Sequence, residues 1–224
     1  MSRHASGLNF ENTYAFKIQA DFPACFVLNA AQRANSSEAI SSPHYLDEHV
    51  HPLRPDHVVI QVGIVDCAPR IFKRHERKIL AFMKQIFLLR KLADQFIRTS
   101  SRHRLAITRK RGLTLVTAKA FQQHLQEFMA ECLACNENCG FTFVNIPFPG
   151  KSFCDKNHNA ASLIDQYNSI LQNLAHQQGA AVVNLHSFTM SNPDAVLPDG
   201  YHINAKAHAF IHETLFTRLK SMGL

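Results

Sequence analysis

Apolar positions along this chain follow two alternating rhythms. Residues 24–29, 57–63, 141–146 and 181–185 are short runs, nearly all apolar and rich in Val, Ile and Phe. Runs of that length and composition read as buried strands of a parallel sheet. Pro147 and Pro149 stop the third. Between the runs, apolar residues recur every three or four positions, the period of a helix with one apolar face. Phe72, Ile79, Phe82, Met83, Ile86, Leu89, Leu92, Phe96 and Ile97 do so across 71–98, and Phe121, Leu125 and Phe128 within 117–135. Leu163, Ile164, Tyr167, Ile170, Leu171 and Leu174 repeat the pattern within 160–178, where Gly179 is placed to end the helix. Residues 9–20 read as a further helix, and a last one begins after Asn204, a good N-cap, and runs to about 219. The Ser-rich stretch 32–42 could open another helix, and 99–113 reads as a basic loop. Strands alternating with helices predict an α/β fold, with a parallel sheet covered on both faces. With no repeat, low-complexity tract or linker, residues 1–224 read as one domain. Function in such a fold is expected at the carboxyl ends of the strands.

Composition narrows the class. At 224 residues and 46% hydrophobic content, the chain can bury one substantial core. No apolar run approaches the roughly 18 residues of a membrane span, and the first ten residues lack the apolar core of a secretory signal. A soluble, cytoplasmic protein is expected. The net charge of +7 is local: residues 71–112 hold thirteen Lys or Arg against Glu76 and Asp94, so the remainder is slightly acidic. The apolar stripe of 71–98 points to a helix that covers the domain with a solvated cationic face. The same segment is the place for contact with an anionic surface, and no motif for sequence-specific nucleic acid accompanies it. Cys132, Cys135 and Cys139 form a C-x2-C-x3-C cluster without a fourth ligand at zinc spacing, so no metal site is read there. His208 and His212 are four apart on the last helix and lack a third ligand.

The candidate chemistry lies near the C-terminus, in Leu197-Pro198-Asp199-Gly200-Tyr201-His202-Ile203-Asn204. A carboxylate three residues before an imidazole, on a Pro/Gly-bounded loop, lets Asp199 hold one ring nitrogen of His202. The other nitrogen is left to take a proton from a nucleophile. A serine on a sharp turn after a first strand is not recognisable.

Taken with the element order, these residues resemble the SGNH (GDSL-type) hydrolase family over roughly residues 9–220. Asp199 and His202 match its last block. Gly63-Ile64-Val65-Asp66, followed by Cys67-Ala68-Pro69-Arg70, stands where the family reads G-x-N-D. That wording is similar to a bacterial subgroup met near surface-polysaccharide genes. Ala34 occupies the place of the family's Gly, and no G-D-S block is found. The resemblance implies a flavodoxin-like three-layer α/β/α fold with strand order 2-1-3-4-5. It also implies hydrolysis of small-molecule, glycan or lipid esters by Ser, His and Asp, without a cofactor. Relatives bind the oxyanion with backbone N–H groups and the Asn side chain. Val65 lacks that amide, a loss typically worth about 10²–10³ in rate. Asn35 is the candidate substitute, and the Ala34 N–H remains available provided its turn does not need a positive φ.

Two explanations cover the missing serine. In one, Met1 is an internal methionine of a longer reading frame whose first, central strand carries G-D-S. Without that strand, residues 24–29 and 57–63 lose a shared partner, at about 1–3 kcal/mol per unpaired buried group. In the other, the chain is a degenerate member that falls back on Ser2, Ser6, Ser36 or Ser37, none of which sits in a strand–turn–helix context. The inactive form of the family would be a carbohydrate- or membrane-surface-binding protein.

Overall fold

The structure is a computed structural model that describes residues 8–32 and 34–223. Three strands form a parallel sheet in the order β1 (His57–Ile60), β2 (Gly140–Val144), β3 (Ala181–Val183). His57 lies opposite Gly140, and Thr142 opposite Ala181. Side chains alternate across the sheet, as the period of two demands. Val58, Ile60, Phe141, Phe143 and Val182 join one core cluster. Val59, Val144 and Val183 join a second on the opposite face.

Among the described residues twelve α-helices accompany the sheet: α1 (Tyr14–Asp21), α2 (Ser37–Ile40), α3 (Pro43–His49), α4 (Ile64–Cys67), α5 (Arg74–Gln85), α6 (Phe87–Arg102), α7 (Arg104–Arg111), α8 (Ala118–Cys135), α9 (Lys151–Cys154), α10 (Ala160–Gln177), α11 (Leu185–Ser191) and α12 (Ala205–Ser221). Their apolar stripes sort them by face. Phe121, Leu125 and Phe128 of α8 and Ile164, Tyr167 and Leu171 of α10 fill the first cluster. Tyr14 and Ile18 of α1 and Ile211, Leu215 and Leu219 of α12 fill the second. The result is the expected three-layer α/β/α arrangement.

Three expectations need correction. Residues 24–29 do not form a strand: they turn and then run irregularly, with Phe26 80% exposed. No strand pairs with them among the described residues. Instead the Gln19 side chain donates to the Cys25 carbonyl at 3.3 Å and accepts from the Val27 N–H. Strand propensity without a partner leaves the run unpaired. Second, 71–98 is two helices that fold back on each other at Ile86, and most of its apolar stripe stays exposed. Third, 99–113 is mostly helical, containing the end of α6 and all of α7, with Gly112 at φ +54° as the left-handed stop. The polar stretch 32–42 does open helices: Ser36 caps α2 and Ser42 caps α3, each side chain accepting a backbone N–H.

Candidate functional site

The loop after α11 carries Asp199 and His202. Gly200 adopts φ +84°, and a Cβ there would come within 2.8 Å of the Phe153 backbone. Only glycine lets the loop lie so close to α9. The Gly150 N–H donates to the Gly200 carbonyl at 2.8 Å, and the Ser152 hydroxyl donates to the Pro198 carbonyl at 2.6 Å. On this seat, Asp199 Oδ2 lies 2.6 Å from His202 Nδ1. Asp199 Oδ1 accepts the N–H groups of Tyr201 and His202 at 3.1 and 3.0 Å. Partial burial works to raise the Asp199 pKa. The hydrogen bonds from the His202 ring and the two backbone N–H groups outweigh it, and the net shift is downward. Asp199 is therefore ionised at neutral pH and fixes the Nδ1–H tautomer. Among the described residues His202 Nε2 has no hydrogen-bond partner, and the ring is half-exposed.

The second group follows β1. Gly63, at φ +120°, leads into α4, and a Cβ there would strike the Ile146 side chain at 2.6 Å. Asp66 is fully buried. Its Oδ1 accepts both the N–H and the hydroxyl of Ser37, each at 2.9 Å, and Ser37 Oγ lies 3.1 Å from His124 Nδ1. Burial pushes the Asp66 pKa up against these bonds. Ser37, His124 and Asp66 are thus a serine, a histidine and an acid in contact. Ser37 has no solvent exposure, so the set anchors α2 to α4 and cannot attack a substrate. Val65 presents an apolar side chain, and its carbonyl accepts from Arg70 Nη2 at 2.5 Å. Ala34 takes φ +58°, so its turn does need the left-handed conformation that the family's glycine supplies freely. An alanine there carries roughly 1–2 kcal/mol of strain. Asn35 is half-buried beside it.

A chain of contacts connects the two groups. Tyr201 packs on His202 at 4.2 Å and on Phe153 at 5.4 Å. Asn157 donates to the Phe153 carbonyl, and Arg104 donates to Asn157 Oδ1 at 2.7 Å and to the Pro69 carbonyl at 2.8 Å. Through Asn157, Phe153 and Tyr201, Arg104 is linked to the Asp199–His202 loop, and through Pro69 to the segment after Asp66. No hydrogen bond joins His202 to Ala34, Asn35, Gly63 or Val65 among the described residues. Ser36 and Ser37 are buried away from His202, and Ser2 and Ser6 lie outside the described residues. Arg104 and His124 escaped the sequence reading because their partners lie 53 and 87 residues away.

The other singled-out residues have structural partners. His208 is buried against Tyr14 and accepts its N–H, and His212 Nε2 lies 2.5 Å from Asp21. Cys132 and Cys139 are buried in the first core cluster.

Against known proteins, residues 3–210 match the model of the GDSL-like lipase/acylhydrolase family. No curated protein matches the chain significantly. Among solved structures, the lipase/acylhydrolase from Enterococcus faecalis superposes with a TM-score of 0.61 at 14% identity, covering 92% of this chain and 83% of its own. The acetyl xylan esterase AlAXEase gives 0.56 at 14% identity, covering 93% and 91%. LAE5, an alpha/beta hydrolase enzyme from the metagenome of Lake Arreo, Spain, gives 0.58 at 16% identity, covering 92% and 80%. At such identities the structures show the fold, and the family match shows the rest: this chain belongs to the GDSL-like lipase/acylhydrolase family.

Proposed function

We propose that this family member is a serine-type ester hydrolase in which His202 is the general base and Asp199 orients it. Substrates of the class handled by the neighbouring acetyl xylan esterase, O-acetyl groups on glycans, fit the family, as do lipid and small-molecule esters. The observation that carries the reading is the 2.6 Å contact between Asp199 and His202 Nδ1, with Nε2 left unengaged among the described residues. In the reaction, Nε2 takes the proton of an attacking hydroxyl as that oxygen bonds to the ester carbonyl. The proton then passes to the departing alcohol, and water repeats the sequence on the acyl-enzyme. Backbone N–H groups of the Ala34 turn and the half-buried Asn35 are the oxyanion donors, since Val65 supplies none. The nucleophile is a serine outside the blocks matched in this chain.

A second reading, a non-hydrolytic relative that binds glycan or a membrane surface, is favoured by the apolar Val65 and the burial of Ser37. Hydrolysis of p-nitrophenyl acetate separates the two. Fluorophosphonate labelling of one serine, and a fall in turnover of about 10³ or more in His202→Ala, support the hydrolase. Equal rates in the His202→Ala variant overturn it.

A further inference from the structure

The helical hairpin α5–α6 is the feature the catalytic reading leaves unused. Its arms run back along each other: Lys84 pairs with Asp94 at 2.9 Å, and the Phe72 and Phe96 rings meet at 5.7 Å. Within the two helices only Leu80, Ala93 and Ser100 are buried. The rest of the apolar stripe faces outward. Ile79 and Phe82 on α5, with Ile86 at the corner, recur at three and four residues, as do Leu88, Leu92 and Phe96 at four on α6. At the corner Phe87 is 87% exposed and Leu88 81%. More than half of the exposed large apolar side chains among the described residues lie between Ile79 and Leu105. Soluble surfaces rarely gather apolar groups in this way without a binding role.

Cations flank that stripe. Lys91, Arg98 and Arg102 fall on the arc of α6 next to Leu88 and Leu92, and Lys78 borders Ile79 on α5. The hairpin's acidic groups are already spent: Glu76 is paired with Arg111 and Asp94 with Lys84. Apolar side chains at a corner, flanked by long cationic chains whose stems can lie along the acyl boundary, suit an anionic bilayer. A second copy of this chain would set the same unneutralised cations face to face. A nucleic acid would leave Phe87 and Leu88 without an apolar partner.

We infer that the α5–α6 hairpin docks on anionic lipid bilayers, with Phe87 and Leu88 entering the acyl boundary and Lys91, Arg98 and Arg102 holding the head groups. The inference does not depend on the hydrolase reading.

The protein has no tryptophan, so Phe87→Trp supplies a single reporter. Vesicles of phosphatidylglycerol and phosphatidylcholine, mixed about 3:7, should shift its emission to the blue at low salt, and pure phosphatidylcholine should not. Raising salt from about 0.05 to 0.5 M should reverse most of the shift. In flotation, the Lys91→Glu/Arg98→Glu pair should weaken binding at least about tenfold. The Phe87→Ser/Leu88→Ser pair should abolish it while melting as the wild type does, because both side chains are already exposed. The inference is overturned if the tryptophan reports no change with anionic vesicles, or if the serine pair floats like the wild type. It is equally overturned if the wild type is a dimer that the serine pair converts to monomer, or if a DNA duplex but no vesicle binds the protein.

Discussion

Asp66 shows how one buried side chain can tie two elements together. Its carboxylate accepts the Ser37 N–H and hydroxyl at 2.9 Å, and so ties the start of α2 to α4. Oδ2 is buried without a partner among the described residues, and burial raises the pKa, so the charge itself adds little. Asp66→Ala strands two buried donors at about 1–3 kcal/mol each, for a total of about 2–6 kcal/mol. Asp66→Asn keeps an acceptor at Oδ1 and should cost about 1 kcal/mol or less. Urea unfolding of the two variants checks the contrast; equal losses would show that the charge matters after all. The same scale sets what a sequence can disclose. Asp199 and His202 are three apart on one loop, so their contact is written in the spacing. Ser37, Asp66 and His124 meet from three separate elements, and no local pattern marks them. The conformation of Ala34 shows only in φ, which the residue name hides.

Between elements, the contact of α1 with α12 buries a histidine whose ionisation links stability to pH. His208 on α12 is 2% exposed, stacks on Tyr14 at 5.5 Å, and accepts the Tyr14 N–H. Burial lowers its pKa to about 4. The folded protein holds the ring neutral, and the unfolded chain protonates it below about 6.5. Its stabilisation is therefore complete above about pH 6.5 and is lost as pH falls toward 4, for a total of about 3 kcal/mol at most. Asp199 and Glu76, with lowered pKa values, act in the same direction, and Asp66 acts in the opposite one. The difference between wild type and His208→Gln isolates the histidine. The variant's melting midpoint should fall less than the wild type's between pH 7 and pH 4.5, and parallel curves would refute the assignment. Periodicity made α8, α10 and α12 legible nearly to their ends, because each buries one face against the sheet. It failed at 71–98, where the same period lies on a hairpin whose apolar stripe stays mostly exposed. It failed again at 24–29, where strand-like composition meets no ladder.

For the molecule as a whole, these two failures mark the places where apolar surface is left uncovered. The hairpin has flanking cations, which carry the proposal of an anionic partner. In the 24–29 stretch Phe26 and Leu28 project from irregular chain, while Cys25 and Val27 pack on the second core cluster and the Gln19 side chain bonds their backbone. β1 is an edge of the described sheet, and its backbone offers a ready ladder to any extended segment. Apolar extended chain together with an open edge is the combination that drives association between copies. Phe26→Lys/Leu28→Lys should therefore reduce light scattering at high protein concentration and lower the binding of a hydrophobic dye. Both residues are exposed, so the melting midpoint should stay within about 2 °C of the wild type. A drop well beyond that would mean that Phe26 and Leu28 are covered in solution, and the open edge would then have to be sought elsewhere on the sheet.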